Sequence, residues 1–237
     1  MKHGLRIALL CIATAAPAAA AQQTDAPPTI TVDASGSVER TPDRAILQLA
    51  VESDGATARV ASQANAAAMD RVLRALRTQG IPAASIRTLS YGLDPVYGRR
   101  TRPDSAPLVV GFRATNLVQV TVDSIAAVGG VIDAAIGAGA NRVMGLSFEI
   151  RDWEAARLAA LEIAVAKARR EANAVARAAD ASLGPPLSIS MSSDDSPRPI
   201  FQGRVLMEAA MTEPTPIEGG ALTVTARVRI VYRLELR

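Results

Sequence analysis

The chain has 237 residues, 26 Lys+Arg against 23 Asp+Glu, 49% hydrophobic residues and only 3% aromatic ones. That length fits one large domain or two small ones, and the apolar content supplies a core without disulfide staples, which excludes a disordered or low-complexity protein. A single Cys and a single His remove most thiol, imidazole and zinc chemistry before any motif is sought.

Both of those residues stand in the opening segment. Lys2, His3 and Arg6 form a basic start, residues 7–16 a short apolar run, and Pro17 to Ala21 the small residues before Gln22. This order predicts a secretory signal peptide over residues 1–21, cleaved after Ala20 or Ala21. The run is too short to span a bilayer. Cys11 does not fit a lipid-bearing cysteine, because Leu10 precedes it where a small residue is needed. Cleavage removes Lys2 and Arg6, leaving 24 basic against 23 acidic residues and a net charge of about +1 in place of +3. His3 and Cys11 leave as well, so the expected mature chain holds neither type. No later stretch has the roughly 18–20 continuous apolar residues of a membrane helix.

Residues 22–28, polar and Pro-containing, read as a flexible lead-in. A strand is expected over Thr29–Asp33, followed by a turn-rich Ala34-Ser35-Gly36-Ser37 and a corner at Thr41-Pro42-Asp43. From Arg44, alternation of Ala45, Leu47, Leu49 and Val51 with polar residues predicts a half-buried strand. Helical spacing follows over 56–79, with Val60, Ala64, Ala67, Ala68, Val72, Leu73 and Leu76 on one face and Gly80 as its stop. Two strands are expected at 86–96 and 108–122, joined by a polar, Arg- and Pro-rich hairpin loop. Asp123 or Ser124 is placed to cap a second helix ending at Gly139. A strand at 143–150 then leads to the longest helix, Asp152 to Ala179, whose expected buried face is Leu158, Leu161, Val165, Ala168, Ala172, Val175 and Ala179, with Trp153 as a core anchor.

Gly184-Pro185-Pro186 predicts a break, and Leu187–Ser192 a short strand. Residues 194–217 read as mostly irregular, with a strand over Arg204–Met211 as the alternative within them. The final segment alternates most clearly, with Leu222, Val224, Ala226, Val228, Ile230, Tyr232, Leu234 and Leu236 on even positions and Thr or charged residues on most odd ones. Fifteen such residues make a strand roughly 50 Å long at about 3.3 Å per residue, one face buried and the other wet. The order of elements predicts an α+β protein, a largely antiparallel sheet packed by about three helices. Two lobes, 29–122 and 123–237, are one division of it; long strands crossing between the halves are the other.

Several pieces together are similar to the SIMPL domain family of bacterial envelope proteins. They include Gly36 with Pro42-Asp43, Ala75 to Ile81, Leu93-Asp94-Pro95-Val96-Tyr97 and Gly111 to Asn116. Gly137 to Asn141, Phe148, the Ala-rich helix and Pro216-Ile217-Glu218-Gly219-Gly220 before the last strand complete the series. The family opening often reads Gly-x-Gly, and here its first position is Ala34. The resemblance implies a periplasmic or outer-membrane-associated domain over 29–237, a link to oxidative or envelope stress, and ring-like homo-oligomers. It carries over no catalytic residues, cofactor or metal.

Read from the residues, the candidate contacts for an anion or partner are Arg99, Arg100, Arg102 and Arg113 around the hairpin, beside Tyr91 and Tyr97, and Arg227, Arg229 and Arg233 on the wet face of the last strand. In an exported protein the hairpin set fits anionic lipid or lipopolysaccharide headgroups at a membrane surface, a glycan or a small anion, and not nucleic acid. The strand set fits acidic residues on another subunit, or a charged face that discourages stray strand pairing. Asp194-Asp195 and Glu52 with Asp54 are the paired carboxylates, with no further ligand spacing that would make either a metal or acid–base site. Met207 and Met211 read as packing residues. The expected function is non-enzymatic: an oligomeric envelope protein supporting stress tolerance, with a binding module for an anionic ligand as the alternative.

Overall fold

A computed structural model describes residues 27–98, 107–193, 198–200 and 215–236. The chain is α+β, with two four-stranded antiparallel sheets and three α-helices among these residues. Strand β1 (Thr29–Arg40) leaves the first sheet, and the chain next builds β2 (Arg44–Gly55), α1 (Ala58–Thr78), β3 (Ile86–Tyr97), β4 (Val109–Val122), α2 (Val128–Ala138) and β5 (Arg142–Glu149). It then returns through α3 (Trp153–Ala178), β6 (Ala181–Ser193), β7 (Arg198–Ile200) and β8 (Ala221–Leu236). One sheet has the order β1-β8-β6, with β7 also on β8; the other has the order β3-β4-β2-β5. A boundary at 122/123 does not separate the sheets. β1 precedes it but pairs with β8, and β5 follows it but pairs with β2.

In the β3-β4-β2-β5 sheet, alternate residues Leu47, Leu49, Val118 and Val120 are fully buried under Val72 and Leu76 of α1 and Val128 and Val131 of α2. Thr57 caps α1, its Oγ1 accepting from Val60 N at 3.3 Å. The buried face of α1 is Ala61, Asn65, Ala68, Met69, Val72 and Leu76. Val60, Ala64 and Ala67, expected inside, are exposed. Gly55 accounts for the rotation: a Cβ there would lie 2.4 Å from Ala61 N, so the first turn settles on the end of β2 with Ala61 and Asn65 inward. Asp123 does not cap α2. It binds Arg44 Nε at 2.9 Å and Arg151 Nη2 at 3.1 Å, and a 3₁₀ turn at Ile125–Ala127 leads into the helix.

The expected turn at Ala34–Ser37 is continuous strand, and the reason is again a missing side chain. A Cβ on Gly36 would stand 2.2 Å from Ala160 O and 2.5 Å from Ala164 N, so α3 lies with its backbone almost on β1. The helix, capped by Asp152 through a 3.0 Å bond from Ala155 N, buries a ridge of alanines four residues apart: Ala156, Ala160, Ala164, Ala168, Ala172 and Ala176. Only Leu161, Ala168 and Ala172 of the expected face are buried. Leu158, Val165 and Val175 are 48, 40 and 54% exposed, because a larger side chain under the helix would lift it off the sheet. Trp153 is half-buried and belongs to neither core cluster.

β8 alternates as expected from Leu222 to Tyr232, all even positions buried; Leu236 at its end is 72% exposed. β6 runs through Gly184-Pro185-Pro186 where a break was expected. It lies at the outer side of its sheet and absorbs the prolines with two register shifts against β8, the setting in which a strand tolerates residues lacking an N–H. Residues 215–220 lead into β8 across the other sheet's helix layer. Thr215 donates from N and Oγ1 to Asp133 of α2 at 3.2 and 2.8 Å, and Ile217 packs on that core.

Candidate functional site

Of the candidate arginines, Arg99, Arg100 and Arg102 lie outside the described residues, as do Asp194-Asp195, Met207 and Met211. Arg113 sits on β4 between Asp54 of β2 and Asp94 of β3 in the strand register. Its guanidinium grips Asp54 in two places, Nε to Oδ1 at 2.7 Å and Nη2 to Oδ2 at 2.9 Å. This bond holds the Asp54 carboxyl below its usual range and raises Arg113 further. Glu52, the other half of the paired carboxylates, takes Arg142. Asn141 supports the same edge, its Oδ1 accepting from Glu52 N and its Nδ2 donating to Glu52 O, both at 2.8 Å. Glu52 and Asp54 therefore each engage an arginine.

Arg227, Arg229 and Arg233 emerge on the wet face of β8, on the other sheet from Arg113. The four described candidate arginines are thus divided between the two sheets. Arg227 is flanked in register by Ser35 and Ser192, and Arg229 by Asp33 and Ser190; together they line a shallow groove of mixed polar and apolar character. Arg229 Nε donates to Asp33 Oδ1 at 2.7 Å, which raises its already high pKa. Arg233 lies opposite Thr29. The groove offers guanidinium and hydroxyl donors with one carboxylate inside it, a surface suited to hydroxylated or anionic groups and furnished with no nucleophile–base pair. Among the described residues, no group of three or more His, Cys, Asp or Glu side chains could hold a metal ion.

Two features escaped the sequence reading. Asn65 is wholly buried on α1, where its Nδ2 bonds Val51 O at 2.8 Å and Ala114 O at 3.0 Å, tying β2, β4 and the helix together. An Asn in an Ala-rich helical stripe is the signal the sequence offers for it. The second is the outward face of α3, where Leu158, Val165 and Val175 are exposed although their helical spacing predicts a buried face. More exposed apolar groups lie on the β3–β4 hairpin, where Tyr97, Leu108 and Val110 are 57, 74 and 57% exposed, and on β6, where Ile189 and Met191 are 53 and 67% exposed.

The fold defines an α+β protein of two helix-covered antiparallel sheets. The chain belongs to the SIMPL family, described as proteins of unknown function (DUF541), whose model matches residues 30–232. It is 31% identical over 222 residues to a 26 kDa periplasmic immunogenic protein of Brucella melitensis biotype 1, covering 90% of this chain and 88% of that one. It is 27% identical over 231 residues to the uncharacterized protein YggE of Escherichia coli K12, covering 91% and 88%. The match to the family begins within β1 and ends within β8, so it takes in both sheets.

Proposed function

We propose that the chain is exported to the periplasm by a cleaved leader and works there without catalysing a reaction, as a self-assembling envelope component that supports tolerance of oxidative or membrane stress. The observation that carries this reading is the set of large aliphatic side chains left outside two well-filled cores, on α3, β6 and the β3–β4 hairpin. Clustered exposed apolar surface marks contact with a partner or a membrane. The periplasmic name of the Brucella relative supports the compartment. No helix among the described residues is long and apolar enough to cross a membrane. The test has two arms. Light scattering of the protein purified from the periplasm should give a mass above the monomer that grows with concentration; a monomer throughout removes self-assembly. A deletion strain should be more sensitive to peroxide and detergent than its parent, and equal sensitivity removes the stress role.

A second reading is favoured by the hairpin. The register of β2 with β4 ends at Gly55 and Phe112, whereas β3 and β4 continue to pair as far as Tyr97 and Val109. Tyr97, Leu108 and Val110 on this extension, next in sequence to Arg99, Arg100 and Arg102, combine an apolar, aromatic arm with basic groups. That combination suits the interface of an anionic membrane or a lipopolysaccharide headgroup. Reversing all three charges should abolish binding to vesicles containing lipopolysaccharide, and unchanged binding would sink this reading.

A further inference from the structure

We propose that the outward face of α3 is an interface between two copies of this chain, packed antiparallel about a two-fold axis between Val165 and Ala166. The inference rests on the reading of the protein as self-assembling and names the surface. Because the alanine ridge occupies the sheet side of α3, the opposite quadrant carries Leu158, Glu162, Val165, Ala166, Arg169 and Asn173, lining an open, mainly apolar groove with Leu161 and Arg170 at its margins.

The order of charges along that groove selects the partner and its direction. In an antiparallel pair centred between 165 and 166, Val165 faces Ala166 of the second copy, Glu162 faces Arg169, Leu158 faces Asn173 and Leu161 meets the aliphatic stem of Arg170. A two-fold axis makes every one of these contacts twice. In a parallel pair, Glu162 would meet Glu162 and Arg169 would meet Arg169, a repulsive match. Among the described residues neither Glu162 nor Arg169 makes an ion pair within its own chain. The small Ala166 at the centre lets the two helix axes approach closely, and Leu158 and Val165 lose water on both copies. One helix face is a modest area against the roughly 1,200 Å² of a stable interface. The pairing is therefore reversible, concentration-dependent and weakened by salt.

The protein purified from the periplasm provides the test, by sedimentation across a range of concentrations. E162R and R169E should each weaken association about tenfold or more, by placing like charges opposite one another. The double variant E162R/R169E should restore it, because the complementary pairs re-form with the signs exchanged. Cysteine crosslinking supplies geometry. Cys11, within the expected leader, is the one cysteine of the sequence, so A166C introduces a lone thiol. Beside the axis it should form a disulfide dimer on mild oxidation. L158C should not, since its symmetry mate lies about 22 Å away at about 1.5 Å of rise per residue. Association that ignores both single reversals, with no A166C dimer, would overturn the α3 interface while leaving self-assembly by another face. A monomer at every concentration would overturn both. The same monomer, with A166C remaining a free thiol, is also the result if a segment of the chain itself covers the groove.

Discussion

The β3-β4-β2-β5 sheet meets its helices through large side chains: Leu47, Leu49, Val118 and Val120 face Met69, Val72, Leu76 and Val131. The β1-β8-β6 sheet meets α3 almost entirely through alanine, with Ala160, Ala164, Ala168 and Ala172 fully buried against Ala34, Ala226, Val228 and Ile230. The first arrangement stabilises by removing large apolar areas from water. The second removes less area per residue and gains from close backbone approach and dense packing. A consequence follows for function. A helix that places little but alanine beneath it must carry most of its leucines and valines elsewhere, and on α3 Leu158, Val165 and Val175 are in solvent, available to a partner.

Gly36→Val tests that contrast most severely. The new side chain would enter space held by the backbone of α3, so the helix must rise along its length. We expect a loss of about 3 kcal/mol, the upper end of overpacking costs. Hydrogen exchange should rise in α3, β1 and β8 well before it rises in β2 and β4. Equal loss of protection in both sheets would show that the two halves do not differ in this way. The matching change on the other side, Leu49→Ala, leaves a cavity and should cost about 2–5 kcal/mol, with protection lost first around α1.

Asn65→Ala comes next. It leaves Val51 O and Ala114 O without their buried donor, at about 2 kcal/mol. Thermal unfolding measures the loss, and Asn65→Leu should not rescue it, because the penalty lies in the unpaired carbonyls and not in volume. This residue and Gly36 show where the sequence was legible and where it was not. The alternation of β8 could be read to within a residue, since a strand with one wet and one buried face writes its period directly into residue type. α3 defeats a reading by side-chain size because most of its large side chains are exposed; packing against Gly36 reverses that rule, and Gly36 in its sequence context reads as a turn residue. The candidate arginines were visible as residue types, yet their state depends on partners far off in sequence. Arg113 is matched by Asp54, 59 residues away, and Arg229 by Asp33, 196 away. Only the register of the sheets brings those together.

Asp133→Ala probes what joins the halves. Thr215 and Ile217 fix the approach to β8 onto the α2 layer of the other sheet, so loss of both Asp133 bonds should cost about 1 kcal/mol. The effect should be seen as raised exchange at the start of β8, across the boundary between sheets. A change confined to α2 would mean that the two cores are tied elsewhere.

The smallest expected effect is on pH, and it divides between the two halves. Asp54, on the sheet covered by α1, and Glu154, at the start of α3, have ordinary values of 3.8 and 4.5; each is held lower, chiefly by hydrogen bonds from Arg113 and from Arg157. The folded chain therefore takes up these two protons at lower pH than the unfolded chain does. Below the ordinary values the unfolded state binds more protons, and stability falls as pH falls. The contribution of each pair is complete above about pH 4.5 and is lost as the medium is acidified through the folded-state midpoints. Both pairs are exposed, so the effect is small and screened: in roughly 0.5 M salt the carboxylate midpoints, followed by NMR, should move back toward 3.8 and 4.5. Asp54→Asn should remove the contribution of the Asp54–Arg113 pair alone. A midpoint for Glu154 that also moved in that variant would show that the two charges are coupled, which their placement on α3 and β2 does not predict.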